Sequence, residues 1–178
     1  MTYRGPDYSI DVRMLFVALL MGVAAGPVSA NVIVGINHTG QAINYFSVDG
    51  RSAVDIIGPY RSGGGGCCYA VPAIWHPDMG VRIEWQTGSA YSEDFPGFAD
   101  RPKFFAWKEK VEAQTRSLDK WVSVADYTNQ QTCGITVHFL PCDDVQVTTS
   151  CHPYGSPGYP IKAPLRSPNP PSCPQKEH

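Results

Sequence analysis

The chain has 178 residues, of which 43% are hydrophobic and 17% are charged, a composition typical of one globular domain that excludes a disordered chain. Its 14 basic and 16 acidic residues give a net charge of −2, whereas binding to nucleic acid or to an anionic membrane surface needs clustered lysine and arginine. We therefore expect no nucleic-acid partner.

The first thirty residues have the features of a secretory signal peptide. Arg13 precedes an apolar run, 14–25, and Val28-Ser29-Ala30 places small residues where a signal peptidase cleaves. The run is shorter than the roughly 20 residues that a membrane-spanning helix needs. We expect cleavage after Ala30 and a mature protein that is periplasmic or secreted. Because no cysteine lies near this site, we expect no stable membrane anchor.

Short strands separated by turn residues dominate the first half of the mature chain. β-Branched and aromatic residues predict strands at 32–36, 43–48 and 53–57. The glycines at 63–66 suggest a flexible hinge. The stretch 81–86 alternates apolar and polar residues strictly, which predicts a half-buried strand.

The second half is less regular. Residues 88–103 are predicted to be a long loop, and 104–113 fits either a strand or a short helix. A strand is predicted at 121–125. The clearest supersecondary element is a hairpin, in which strands 135–140 and 145–149 flank a four-residue turn.

Six cysteines follow the predicted signal peptide, and an even number in an exported chain indicates disulfides: Cys67, Cys68, Cys133, Cys142, Cys151 and Cys173. Six cysteines allow 15 connectivities. The predicted hairpin places Cys133 and Cys151 nearly opposite each other, close enough to be bonded. Cys67 and Cys68 are expected to be oxidised, either to each other or to distant partners.

Prolines recur from Pro153 to Pro174, and their density excludes both a helix and a central strand there. The predicted organisation is a signal peptide at 1–30, one antiparallel β-sandwich-like domain with long loops at 31–162, and a disordered Pro-rich tail at 163–178.

Three stretches carry a resemblance to a known family: His38-Thr39-Gly40 with the run 43–50, the run 63–69 with Pro72 and Trp75, and the run 137–141. Together they resemble the bacterial exported proteins of the domain-of-unknown-function 3304 family, from about Ile36 to about Ile161. The resemblance implies export and frequent placement beside type VI secretion effectors, where small exported proteins serve as immunity partners. Many members look like lipoproteins, but this chain lacks the anchoring cysteine. The family supplies no catalytic residues.

A cysteine-dependent enzyme is the main alternative to a binding protein. It would use Cys67 or Cys68 as nucleophile and His38 or His76 as base, which requires a free thiolate within reach of an imidazole. An oxidised cysteine cannot attack a substrate, so a structural role is favoured. No catalytic residue is assigned.

Neither a metal nor a cofactor is expected. The five histidines show no local pair of the kind that binds zinc, and His138 is predicted to lie at the surface or at a sheet edge. Asp143 and Asp144 occupy the hairpin turn, where aspartate is favoured for local hydrogen bonding. Adjacent turn residues cannot converge across a cleft as a glycosidase requires.

The leading hypothesis is a non-enzymatic binding protein of the cell envelope. Its most specific form is an immunity protein that neutralises a lipase-type effector of type VI secretion. The expected partner is a protein, which in the specific form is a secreted toxin. Trp107 lies among charged residues and is the best candidate for an exposed binding residue, whereas Trp85 is predicted to be core. A structural envelope component that acts through the Pro-rich tail is a further alternative.

Overall fold

The computed structural model describes residues 31–53, 56–88, 95–168, 170 and 172–173. The predicted signal peptide and its cleavage site lie outside the described residues. The described chain is mostly β and forms one domain, which confirms the predicted fold class. Its eight strands, in chain order, are β1 (Val32–Asn37), β2 (Ala42–Val48), β3 (Arg51–Ala53), β4 (Ser62–Cys67), β5 (Gly80–Gly88), β6 (Arg116–Ser123), β7 (Thr132–Leu140) and β8 (Asp144–Ser150).

The strands form two four-stranded sheets. Sheet 1 has the order β4-β1-β7-β8 and sheet 2 the order β3-β2-β5-β6. Neighbouring strands are antiparallel except for β1 and β7, which are parallel. The predicted hairpin is β7–β8, with Phe139 opposite Val145.

The core lies between the two sheets, and the alternation of β5 shows how each strand contributes to it. Val81, Ile83 and Trp85 are each at most 4% exposed. They pack in one cluster with Phe46 of sheet 2 and Phe139 of sheet 1, whose ring centroids lie 5.3 Å apart. Burial of large aromatic and branched side chains supplies the main driving force for this fold, and the predicted core position of Trp85 is confirmed.

The glycine run 63–66 is part of strand β4, so the hinge prediction is wrong. Here the edge of sheet 1 approaches β3 of sheet 2, and a Cβ on Gly66 would lie 2.6 Å from the Ser52 carbonyl oxygen. Gly64 has φ +99°, which side chains rarely adopt. Glycine weakens a strand in general, but it permits such a close approach of two backbones.

The ambiguous stretch before β6 is helical. Helix α1 (Arg101–Ala113) begins after Asp100, whose side chain accepts a hydrogen bond from the Lys103 backbone N–H at 3.2 Å. Pro102 lies in the first turn, where its missing N–H costs nothing. None of the residues of α1 is buried, so the helix projects from the sandwich and is not a layer of it. Of the predicted loop before it, 89–94 lies outside the described residues.

Residues 151–168, which we call the C-terminal strap, run over the outer face of sheet 1. Tyr159 is 2% exposed, and its ring packs against His138 of β7 with a centroid distance of 5.6 Å. Tyr154 packs edge-on against Tyr159 at 5.5 Å. As the proline density predicts, this described segment contains neither helix nor strand. The strap covers the central part of the outer face of sheet 1, where Ile36 is 3% exposed, whereas Val32 on the same face is 45% exposed.

Candidate functional site

An aromatic patch is the most prominent exposed feature, and it contains Trp107. Rings from α1 and from the segment before it pack on each other with centroid distances of 4.9–6.4 Å. We define the aromatic patch as Phe95, Phe98, Phe104, Phe105 and Trp107. Phe98 is 75% exposed and Phe105 is 53% exposed.

Within the aromatic patch, Trp107 is half-buried rather than fully exposed. Its ring lies 4.9 Å from that of Phe95, and its indole N–H has no hydrogen-bond partner among the described residues. The Arg101 guanidinium lies over the Phe105 ring at 5.8 Å, within the range of a cation–π contact. Trp107 therefore lies on the inner side of the aromatic patch, whereas Phe98 and Phe105 form more of its outer surface.

All six cysteines are disulfide-bonded in the structure. Cys67 is joined to Cys68, Cys133 to Cys151, and Cys142 to Cys173. The last bond connects the β7–β8 turn to the chain beyond the C-terminal strap. Three disulfides indicate an oxidising environment and hence an exported protein.

The structure does not bring the cysteine pair together with His38. Cys67 lies opposite Val32 at the beginning of β1, whereas His38 follows the end of that strand. At about 3.3 Å per residue, the two are separated by roughly 20 Å. His76 is exposed. Within the described residues, no group of three His, Cys, Asp or Glu side chains is placed to hold a metal ion.

Two histidines that are far apart in sequence meet beneath the C-terminal strap. His38 Nε2 lies 2.9 Å from His138 Nδ1, and His138 Nε2 lies 2.6 Å from the Tyr159 hydroxyl. His38 Nδ1 lies 2.8 Å from the Pro164 carbonyl oxygen. Both imidazoles are fully buried. The prediction that His138 lies at the surface or at a sheet edge is wrong, because the strap covers the face on which it stands.

The partners at each end assign the protons along this chain of hydrogen bonds. The Pro164 carbonyl can only accept, so His38 Nδ1 carries a hydrogen and donates. His38 Nε2 then accepts from His138 Nδ1–H, and His138 Nε2 accepts from the Tyr159 hydroxyl. His138 then carries a single proton, on Nδ1, and is neutral in this arrangement. Burial, with a smaller contribution from His38, lowers the pKa of His138 to about 3.

No spacing pattern indicates this histidine pair, because its members are 100 residues apart. The one sequence signal is that each lies in a stretch that carries the family resemblance, His38 in the first and His138 in the third. Burial also raises the pKa of Tyr159 to about 12, which keeps its hydroxyl protonated and able to donate.

A cavity of about 460 Å³ opens at the end of the sandwich beside Thr39 and Gly40. Its floor is formed by core side chains that include Trp85 and Phe139, and its rim by the β1–β2 connection and the β7–β8 turn. Arg116 at the start of β6 forms a two-pronged ion pair with Asp143, with N–O distances of 2.8 and 3.2 Å. This pair joins the two sheets at the edge opposite β3 and β4.

The fold and the bonds define the class of this molecule: a small disulfide-bridged β-sandwich protein with a Pro-rich strap over one face. Residues 36–147 match a family described as a protein of unknown function, DUF3304. The match covers more than half of the chain, and the chain belongs to the DUF3304 family. No curated protein and no solved structure matches it. No helix in the described part of the chain is long and apolar enough to cross a membrane.

Proposed function

We propose that this chain is a non-enzymatic binding protein of the cell envelope that recognises a protein partner through the aromatic patch. The observation that carries the proposal is the exposure of this patch on a helix without buried residues. Phe98, Phe105 and Phe95 are 75%, 53% and 42% exposed, although all belong to one packed cluster.

Exposure of such a cluster has a free-energy cost that partner binding would recover. Contiguous aromatic surface is rare on a monomer and marks interaction sites, and aromatic side chains contribute a large share of the energy in protein interfaces. The cation–π contact between Arg101 and Phe105 adds a positive charge at the margin of the aromatic patch. An apolar centre with a charged rim is the usual composition of a protein-binding surface.

The more specific proposal is that the partner is a secreted toxin and that this chain is its immunity protein. Its support is the resemblance to exported proteins placed beside type VI secretion effectors, together with the disulfides that indicate export. A lipase acts on apolar substrates, and an apolar surface at its substrate entrance would be complementary to the aromatic patch. Coverage of that entrance would block the toxin without any chemistry by this chain.

The proposal of a non-enzymatic role is supported by the bond between Cys67 and Cys68. A thiolate is needed for nucleophilic attack, and neither sulfur is available as one while the bond is intact. Alkylation of the exported protein without prior reduction distinguishes a non-enzymatic role from that of a cysteine-dependent enzyme. Labelling at either residue would favour the cysteine-dependent enzyme, and we expect none.

The first test is the genomic neighbourhood, where we expect a coding region for a secreted effector; an isolated locus would count heavily against the immunity proposal. With that effector, the direct experiment measures its affinity for this chain and the inhibition of its lipase activity. We expect Phe98→Ala and Trp107→Ala each to weaken binding at least tenfold, because truncation of an interface anchor typically costs more than 1.4 kcal/mol. Trp121→Ala is the matched control: Trp121 is 63% exposed on the outer face of sheet 2, away from α1.

Two results would contradict the proposal. Equal affinity of wild type and the Phe98 variant, with both proteins folded, would exclude the aromatic patch as the interface. Loss of binding in the Trp121 variant alone would transfer the interface to sheet 2. Phe98 gives the clearer result, because truncation of so exposed a side chain should leave the fold intact, whereas Trp107 packs against the other rings of the patch.

A further inference from the structure

We propose that the cavity at the end of the sandwich is a binding site for a neutral oligosaccharide. This site is distinct from the aromatic patch and independent of the proposed protein partner. Its volume of about 460 Å³ lies in the range of small-molecule sites. Two of the three stretches that carry the family resemblance converge on it, through Thr39 and Gly40 in one and Phe139 to Pro141 in the other.

The rim of the cavity offers hydroxyl and carboxamide groups. Gln41 is exposed, and its side-chain oxygen accepts a hydrogen bond from the Thr87 hydroxyl at 3.2 Å. Its amide nitrogen has no hydrogen-bond partner among the described residues, so it is available to a ligand. The Thr39 hydroxyl lies nearby, donates to Asn37 at 2.8 Å and accepts from the Gln41 backbone N–H at 3.3 Å, which leaves one lone pair to accept from a ligand. Sugar hydroxyls both donate and accept and therefore complement such a rim.

The charges around the cavity cancel. Both carboxylate oxygens of Asp143 are engaged by Arg116, and Asp144 pairs with Lys120 at 2.5 Å. No net charge remains to attract a phosphate or another anion. The C-terminal end of α1 lies next to this region, and its partial negative charge further disfavours an anion. A neutral ligand fits these electrostatics.

The apolar floor is limited. Ile43, Trp85 and Phe139 line it but are at most 4% exposed, which leaves too little apolar surface to hold a wholly apolar ligand. A sugar has a small apolar face and many hydroxyls, and it matches a floor and a rim of this kind. A peptide strand would need an unpaired sheet edge, whereas this cavity is lined by strand ends and connections.

A second cavity of about 390 Å³ makes the site long. It shares Gly40, Gln41 and Arg116 with the first and continues towards Ala113 at the end of α1. Most of its wall is small residues. The two cavities together form one path along which a chain of several sugar units, rather than one, can lie.

Isothermal titration calorimetry on the full mature chain tests the proposal with maltohexaose and chitohexaose, two uncharged hexasaccharides. We expect at least one to bind, and Gln41→Ala to weaken it roughly three- to tenfold through the loss of one hydrogen bond. Gln130→Ala is the matched control. Gln130 is an exposed glutamine before the start of β7, at the opposite end of the sandwich. We expect the Gln130 variant to bind the hexasaccharide with the affinity of the wild type.

Ala113→Trp tests the length of the site. A bulky side chain at the second cavity should lower the affinity for the hexasaccharide to that for the disaccharide of the same series. It should leave disaccharide binding unchanged. Equal affinity of wild type and the Gln41 variant for every bound glycan would overturn the proposal, as would a failure of both hexasaccharides to bind. Binding of inorganic phosphate or of an uncharged hexapeptide at this cavity, in place of the glycans, would also refute it.

Discussion

The outer faces of the two sheets differ in their exposure to solvent, although the strands of both sheets alternate inward and outward residues in the same way. On sheet 1 the outward residues His138 and Ile36 are at most 3% exposed, because the C-terminal strap lies over them. On sheet 2 the outward Trp121 and Tyr45 are 63% and 41% exposed. Sheet 1 therefore has a second, smaller buried layer that contains hydrogen-bonded imidazoles, and sheet 2 has a solvated face.

This difference shows that the alternation of apolar and polar residues predicts which residues share a face of a strand. It does not predict whether that face is covered by another segment. A polar residue on the face away from the core is normally solvated, and the covered face of sheet 1 is an exception created by a distant, Pro-rich segment. Polar groups under such a cover must be hydrogen-bonded, because an unpaired buried polar group costs about 1–3 kcal/mol. The series of hydrogen bonds from the Pro164 carbonyl through the two imidazoles to the Tyr159 hydroxyl meets this requirement.

The largest effect should come from the core, compared with the open face of sheet 2. We expect Trp85→Ala to lower the free energy of unfolding by about 3–5 kcal/mol, since it leaves a cavity beside Phe139. Trp121→Ala should change it by less than about 0.5 kcal/mol. Chemical denaturation of both variants measures the contrast. Comparable losses would mean that the outer face of sheet 2 is covered in solution.

The covered histidine should make stability depend on pH. The pKa of His138 is about 3 in the folded protein, and that of an unfolded histidine is about 6.5. Above pH 6.5 both states are neutral. As the pH falls from about 6.5 towards 3, the unfolded state gains a proton that the folded state does not, and stability decreases by up to about 1.4 kcal/mol per pH unit.

Unfolding of wild type and His138→Gln between pH 7 and pH 4.5 isolates this contribution from that of the carboxylates. The variant should have a shallower slope. The groups that face His138 are His38 on the β1 side and Tyr159 and Tyr154 in the strap. His76→Gln alters an exposed histidine and should retain the wild-type slope. An identical slope in all three proteins would contradict burial of a neutral His138.

The Cys133–Cys151 bond attaches the start of the C-terminal strap to β7. Replacement of both cysteines by serine should destabilise the protein by about 3 kcal/mol in the chain-entropy model for a loop of this size. Thermal melts give the loss, and peptide mapping of the unreduced protein gives the connectivity. A peptide that links either residue to another cysteine would refute the hairpin register.

The smallest expected change is in the free energy of unfolding when a tyrosine hydroxyl is removed, compared between the two outer faces. Tyr159→Phe removes the hydrogen bond to His138 and should cost about 1–3 kcal/mol, because a buried acceptor is left unpaired. Tyr45→Phe removes an exposed hydrogen bond to Ser52 and should cost less than about 0.5 kcal/mol. Equal losses in denaturant titrations would mean that the strap does not seal its face.

Particular elements show how far prediction from sequence extends. The alternation at 81–86 and the hairpin at β7–β8 were predictable, because the period of two and the turn residues are local properties. The glycines of β4 were not, since their reason is the approach of Ser52 from the other sheet. Helix α1 was ambiguous because it buries no residue, and so its sequence shows no helical period.

By itself, the sequence determined the β class, the core position of Trp85 and the membership in a family, because each depends on local pattern or on residue identity. The tertiary structure alone decided where the C-terminal strap lies, that His38 meets His138, and that the aromatic patch gathers on one side of α1. The physical reason is that these contacts join segments that are distant along the chain, and their free energy appears only when the sheets are assembled. A proline-rich segment has no periodicity that reveals which surface it will cover.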